Sequence, residues 1–400
     1  MNPKLQLSMA LSMTLPWILS LAFSVHYLPE LEAFLAGLAV VGAAFLISWA
    51  AETAEMDIPR SFSLAIVALL AILPEYAVDA YFAWMAGKVG GDYVHYATAN
   101  MTGANRLLIG VGWSFVAITA IYRLRKELKK SELELDDSLN LEIIFLLAAT
   151  LYSFKIPLTG EISAIDSLFL VSMYVLYLFT AIKSEKEEFE VVGVPCYLCS
   201  FRKERRRATV FMMFLYAGFV ILMSVEAFAE GLIGTARNLG IDEFIVVQWI
   251  APLASEAPEF IVAIYLANRL RVSASINALI SSKVNQWSLL IGTIAVIYSI
   301  SLLELKSLPL DDRQKEEFLL TAAQSLFGIA IIVDKRINLF EALALLFLFL
   351  IQLVFPSVSM RYIISFLYIA IAIPIMLRKS SEVIKALDYV SKVAKKSKRD

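Results

Sequence analysis

Apolar positions along the chain come in runs of about 20 residues, separated by short stretches where Lys, Arg, Asp and Glu collect. At 1.5 Å of rise per residue, such a run crosses roughly 30 Å of hydrocarbon as an α-helix. The pattern predicts about twelve spans, at 6–25, 31–51, 62–86, 93–121, 140–158, 163–183, 209–236, 242–268, 272–302, 316–333, 338–355 and 359–377. A membrane β-barrel would show segments of about 10 residues with strict alternation, and none is visible. The fold class is therefore an all-α polytopic membrane protein. Several runs exceed one crossing and predict tilted or broken helices. The first run follows only Lys4 and lacks a clear small-residue cleavage site, so it reads as a retained span rather than a signal peptide.

Composition sharpens this picture. Of 400 residues, 59% are hydrophobic and 18% charged, against about 45–50% and about 25% in soluble proteins. The mean hydropathy is +0.72, a surplus that one soluble core cannot bury. The net charge of −2 suggests no nucleic-acid partner, and two cysteines cannot form a disulfide framework. Lys and Arg set the orientation. Basic residues follow the fourth span (Arg123, Arg125, Lys126, Lys129, Lys130), the sixth (Arg202, Lys203, Arg205, Arg206, Arg207), the eighth (Arg269, Arg271) and the tenth (Lys335, Arg336). The tail is basic too, whereas the exit at 303–315 carries Glu304, Asp311 and Asp312. Only Arg60 marks the second exit. Both termini are expected on the cytoplasmic side of the cell membrane, with lipid as the standing partner.

The two halves resemble each other. Residues 142–154, EIIFLLAATLYSF, open a span pair in half one, and 317–329, EFLLTAAQSLFGI, open one in half two. Pro74-Glu75 and Pro258-Glu259 sit within corresponding spans. Each following span opens with small and amide residues, Asn100 to Gly110 in half one and Ser281 to Gly292 in half two. About five spans per copy force the copies into opposite orientations, the inverted-repeat plan of secondary transporters. The expected organisation is an extra N-terminal helix at 1–30, a first repeat at 31–183, a cytoplasmic linker at 184–208 and a second repeat at 209–355. An extra helix with a basic cytoplasmic tail completes the chain at 356–400.

A carboxylate near the bilayer centre is costly unless paired, hydrated or ion-bound. Glu75 and Glu259 each follow a proline, which removes a backbone donor and frees a carbonyl one turn earlier. The result is expected to be a broken helix with free carbonyls beside a carboxylate. Oxygen ligands of this kind suit hard cations such as Ca²⁺ or Na⁺, and two opposed carboxylates would neutralise a divalent ion. His26 and His95 lie near span ends, which argues against a soft-metal site.

The stretch LGIDEFIVVQWIAPLASEAPE, 239–259, resembles the α-repeat of the cation/Ca²⁺ exchanger superfamily, which ends in Gly-Thr-Ser-x-Pro-Glu. Residues 281–286, SSKVNQ, take the place of that family's Gly-Ser-Asn-x-x-Asn/Asp segment, and Gly292 falls at the matching distance. Half one matches at Pro74-Glu75 and at 100–105, NMTGAN. The resemblance implies ten core helices in two inverted bundles and antiport of Ca²⁺ against Na⁺ or H⁺ by alternating access, with no cofactor. It implies Glu75 and Glu259 as central ligands, Ser255 and Ser282 as hydroxyl ligands, and Gln286 and Asn105 as amide ligands. Asn285 and Asn100 are further candidates. Ala71-Ile72-Leu73 replaces Gly-Thr-Ser in half one, so a hydroxyl-lined Na⁺ site is expected to be lost there. Glu256 replaces the Ser in half two.

Lys283 and Arg106 stand beside the amide ligands, where neutral residues are usual in the family. Either both point away to pair with Glu256, Asp79 or the upstream acids, or a fixed cation replaces a transported one and favours the charged carboxylate. Asp79 lies one turn after Glu75, as a second ligand or a partner for an Arg. Glu52, Glu55, Glu226 and Glu230 lie on the spans entering each repeat; they either line a vestibule or pair with Arg60, Lys283 or Arg106. Cys196-x-x-Cys199 is half of a tetrahedral zinc site, with no further cysteine or nearby histidine to complete it. An intramembrane enzyme would need a nucleophile–base pair or a motif such as HExxH, which is missing. A channel would need a continuous pore with a filter loop, to which an inverted pair of carboxylate-bearing helices is poorly suited. The Pro-Glu motifs favour Na⁺ as the coupling ion at reduced stoichiometry, with H⁺ the alternative.

Overall fold

The computed structural model describes residues 2–57, 73–183 and 193–396. Half one contains α1 (Pro3–Ala22), α2 (Pro29–Ala54), α3 (Leu73–Lys88), α4 (Asp92–Leu107) and α5 (Ser114–Leu128). Strand β1 (Glu132–Glu134), α6 (Asn140–Ser153), α7 (Lys155–Thr159), β2 (Glu161–Ile162) and α8 (Ala164–Lys183) complete it. After the short α9 (Val194–Cys199), half two runs through α10 (Lys203–Leu239), α11 (Glu243–Asn268), α12 (Val272–Asn285) and α13 (Ile291–Leu302). Then come β3 (Leu308–Pro309), α14 (Asp312–Ile332), β4 (Arg336–Asn338), α15 (Leu339–Val354), α16 (Val358–Arg378) and α17 (Ser380–Lys396). Among the described residues, nine helical stretches are long and apolar enough to cross a membrane. Most of the predicted span 62–86, with Arg60, Ala71 and Ile72, lies outside the described residues.

The predicted span 316–333 corresponds to α14, which carries Asp312, Arg313, Lys315, Glu316 and Glu317 in its first turns. It tolerates them because nearly every residue from Gln314 to Ile332 is buried by protein rather than exposed to lipid. The basic tail expected after the last span is helical. It folds as α17, which buries Ala386 and Val393 while Ile384 and Leu387 stay exposed.

The chain forms two compact units that do not follow the repeats: Met1–Phe82 with Lys186–Pro258, and Ala83–Glu185 with Glu259–Asp400. Each unit takes one part of each repeat. In the first unit, α2 lies along α10 through small residues, as helices do where lipid offers no hydrophobic drive. Ala36, Ala39, Val40 and Ala43 are fully buried. A Cβ on Gly37 would lie 2.7 Å from the Phe228 ring, and one on Gly231 would lie 2.7 Å from the Ala33 backbone. The α1 helix is stitched on by the Trp17 indole N–H donating to the Met223 carbonyl at 3.2 Å and by Thr14 and Tyr216 hydroxyls 2.6 Å apart. Just beyond α2, Asp57 accepts a two-pronged bond from Arg206, at 2.7 Å from Nε and 2.8 Å from Nη2.

In the second unit, two short antiparallel ladders join the repeats crosswise. β1 pairs with β4, placing Leu133 opposite Ile337, and β2 pairs with β3, placing Ile162 opposite Leu308. β1 and β3 follow the amide-rich helices of their respective repeats, and β4 and β2 precede the last helix of each. The ladders are thus counterparts of one another, with Leu133, Ile337, Ile162 and Leu308 all fully buried.

Arg206 holds the Asp57 carboxyl below the usual carboxylate range, so the pair contributes stability at neutral pH and loses it as Asp57 takes up a proton. Arg206→Ala is expected to lower stability by roughly 1 kcal/mol at pH 7, with the loss shrinking below about pH 4. Thermal unfolding in detergent across that pH range checks both the size and the sign.

Candidate cation site

In the first unit, Glu75 and Asp79 lie one turn apart on α3 and are both buried. Ser255 and Glu256 are buried on α11. The Ser255 hydroxyl donates at 3.3 Å to the carbonyls of both Ala251 and Pro252, one turn back along its own helix. The helix does not break there as the sequence suggested: α11 runs continuously from Glu243 to Asn268 across Pro252 and Pro258. Glu230 accepts a 2.7 Å hydrogen bond from the Tyr81 hydroxyl. Glu226, four residues earlier, is exposed, so the two do not act as one buried pair. Glu52 and Glu55 are half-buried near the end of α2.

In the second unit, Glu259 is half-buried, and the Ser282 hydroxyl is its polar neighbour. Two helices, α4 and α12, bring the amide residues together. Asn100, Asn105, Asn285 and Gln286 are all buried. The Lys283 ammonium donates to the Asn105 side-chain oxygen at 2.6 Å and to the Asn105 backbone carbonyl at 3.2 Å. The Asn105 amide nitrogen donates in turn to the Met101 carbonyl at 2.8 Å, which fixes the side chain. Lys283 is fully buried, and its ammonium also stands 4.5 Å from the Trp287 ring centre, a cation–π contact. Of the two readings of Lys283, the ammonium therefore follows the one that keeps it against the amide residues. A fixed positive charge sits on the very oxygen expected to coordinate a transported ion.

Arg106 pairs with Glu317 on α14, a partner the sequence did not suggest. Gln352 accepts a further bond from Arg106 at 3.2 Å.

Two features went unread in the sequence. Each amide-rich helix passes directly into a π-helical turn, Leu108–Trp113 after α4 and Gln286–Leu290 after α12. Such turns widen the helix and leave backbone groups out of the regular ladder. Apolar periodicity carries no signal for them. The second feature is a pair of equivalent carboxylates, Glu142 and Glu317, the opening residues of the two aligned segments. Each meets the amide-rich helix of the other repeat: Glu142 accepts from the Ser281 hydroxyl at 3.5 Å and from Tyr177 at 3.3 Å, while Glu317 pairs with Arg106. The repeat alignment contained that signal.

Cys196 is exposed and Cys199 half-buried on α9, both as free thiols. Burial pushes the Cys199 thiol upward, away from the thiolate that binds zinc. Among the described residues, no group of three or more His, Cys, Asp and Glu side chains is placed to hold a metal ion. The oxygen donors here are mostly amides and hydroxyls, which such a count passes over.

The sequence profile of the family described as sodium/calcium exchanger protein matches residues 32–183 and 209–358. The crystal structure of an H⁺/Ca²⁺ exchanger, CAX, is 63% identical, with 98% of each chain covered and a TM-score of 0.95. The structure of native YfkE is 15% identical over 91% of this chain and 99% of that one, with a TM-score of 0.64. The sodium–calcium exchanger NCX_Mj is 19% identical over 82% of this chain and 98% of that one, with a TM-score of 0.54. These last two share the fold. No curated protein matches the chain.

The π turn after α4 is packed without slack. A Cβ on Gly110 would fall 2.3 Å from the Phe349 ring. Gly110→Ala is expected to destabilise the protein by roughly 1–3 kcal/mol, the range for overpacking a filled interior. The shift of the thermal unfolding midpoint in detergent measures it.

Proposed function

The chain belongs to the sodium/calcium exchanger protein family, and from that premise we propose that this Ca²⁺ antiporter is driven by H⁺. The observation that carries the reading is the Lys283 ammonium on Asn105. A site that already holds a fixed cation on its amide oxygen has less room, and less negative potential, for a second Na⁺. The 63% identity to a protein described as an H⁺/Ca²⁺ exchanger supports the same direction. The Pro-Glu motifs that favoured Na⁺ in the sequence do not distinguish the two ions in this respect, since a glutamate can exchange a metal ion for a proton as readily as for Na⁺.

In this reading Glu75 and Glu259 are the carboxylates that trade Ca²⁺ for protons. Each carries a negative charge when Ca²⁺ is bound and becomes neutral on protonation, which removes the attraction that held the ion. Ser282 and Ser255 contribute hydroxyl oxygens, and Gln286, Asn285 and Asn100 contribute amide oxygens. Asn105 takes part in the site through its bond to Lys283, whose ammonium offsets part of the acidic charge. Asp79 and Glu256, one turn and three residues from the central glutamates, set the local field. The protein is a transporter rather than an enzyme. Its basic exits and tail support cytoplasmic termini in the cell membrane, with Arg202 to Arg207 and the lysines of α17 against anionic lipid.

The deciding experiment is ⁴⁵Ca uptake into proteoliposomes loaded either with acid or with Na⁺. Uptake is expected with the outward H⁺ gradient and not with the Na⁺ gradient. Glu75→Gln and Glu259→Gln are each expected to reduce it by about 10²-fold or more, as loss of a charged partner at a desolvated site does. Uptake driven by Na⁺ alone would overturn the proposal. Lys283→Ala is expected to let external Na⁺ compete with Ca²⁺; Na⁺ insensitivity equal to wild type would remove the role given to Lys283.

A further inference from the structure

The last apolar helix, α16, lies outside both repeats, yet it carries a buried arginine into the second unit. Arg361 is 4% exposed, and Glu316, Glu317 and Arg106 are each 1% exposed. Its Nη1 lies 2.5 Å from one Glu316 oxygen and its Nε 3.0 Å from one Glu317 oxygen. The second Glu317 oxygen pairs with Arg106. Two arginines and two glutamates thus form a buried cluster in which their formal charges cancel. A ring of amides completes it: Gln352 accepts from Arg106 at 3.2 Å and donates to Gln324 at 2.9 Å, and Gln324 donates to the Arg106 backbone carbonyl at 3.0 Å. Both the side chain and the carbonyl of Arg106 are therefore held from α14 and α15.

Arg106 is the residue next to Asn105. Whatever fixes Arg106 fixes the rotation and height of α4 at the point where Lys283 meets Asn105. The equivalent carboxylate of the other repeat, Glu142, is met by the hydroxyls of Tyr177 and Ser281. At Glu317 the corresponding contact is a guanidinium on each oxygen. A carboxylate held on both oxygens cannot rotate, so its second oxygen stays aimed at Arg106.

We propose that Arg361 is a positioning residue for Ca²⁺ exchange: it acts through Glu317 on Arg106 and so holds Asn105 where the ion site requires it. The proposal rests on Asn105 being part of that site. It does not depend on the coupling ion. It also gives the helix beyond the repeats a task in transport rather than in anchoring alone.

The test is ⁴⁵Ca²⁺/Ca²⁺ exchange in proteoliposomes, which needs no coupling gradient, read as KM and maximal rate beside thermal unfolding in detergent. Arg361→Met is expected to raise KM roughly ten-fold or more, since a small misplacement of a binding group is costly. Arg361→Lys keeps the charge but not the planar fork, so an intermediate KM is expected. The double variant Arg361→Met with Glu316→Gln restores neutrality. It is expected to recover the melting temperature of wild type while KM stays raised, because Glu317 still lacks its second guanidinium. It also keeps the question open to test if Arg361→Met alone does not fold. A KM restored to wild type in the double variant would reduce Arg361 to a counter-charge and overturn the proposal. So would an unchanged KM in a folded Arg361→Met. Asn105→Ala in the same assay separates the failures: if it leaves KM unchanged, the site assignment falls; if it raises KM while Arg361→Met does not, only the role of Arg361 falls.

Discussion

An ammonium buried among apolar helices must find oxygen, and Lys283 finds two oxygens on a single residue, Asn105. Much of the second unit is arranged around that demand. The bond requires α4 and α12 to approach closely, which is why Ala97, Ala99, Gly103 and Ala104 line the buried run before Asn105. It requires Asn105 to present its oxygen rather than its nitrogen, which the 2.8 Å bond to the Met101 carbonyl secures. It places a positive charge one residue from Arg106, so the guanidinium is directed elsewhere. Glu317 provides that destination, and Arg361 balances it. A carboxylate-bearing helix at the centre of a membrane protein, α14, is tolerable only because these cations meet it.

The same logic explains how far the sequence could be read. Apolar runs and the basic exits between them are direct statements about a bilayer, so the helical membrane fold was legible from them, while the internal repeat and the family were legible from the paired Pro-Glu and amide-rich segments. Glu75 and Glu259 stood out as candidates because each is a charge placed where charge is expensive. Partners were harder. Arg106 lies beside the candidate ligands, and the partners the sequence offered for it were Asp79, Glu256 and the upstream acids. Its actual partner is more than two hundred residues away, on a helix whose polar first turns looked like a loop margin. Lys283 and Asn105 are likewise joined only by the packing of two repeats. The continuous α11 shows the opposite failure. Pro258 suggested a break, but α11 runs on across it and across Pro252.

The π turns mark a level at which residue pattern is silent. They follow equivalent amide-rich segments in both repeats and differ in sequence, LIGVGW against QWSLL. Their shared feature is position, directly after the ligand-bearing turn. Backbone geometry of this kind is retained where irregularity has a use. Here it lets the chain carry amides and charges in one turn and dense apolar packing in the next, with Phe349 against Gly110 and Val171 against Gly292.

The two small ladders bear on how the protein is made. β1 waits for β4, about two hundred residues later in the chain, and Arg106 waits for Glu317 over a similar distance. Half one therefore leaves the ribosome and enters the bilayer with its two strands still lacking their partners and Arg106 still lacking Glu317, and it stays so until most of half two has been inserted. During that interval the nascent chain depends on whatever shields polar groups during insertion. The two halves should also retain mutual affinity when supplied as separate polypeptides, because each carries the missing strand partners of the other.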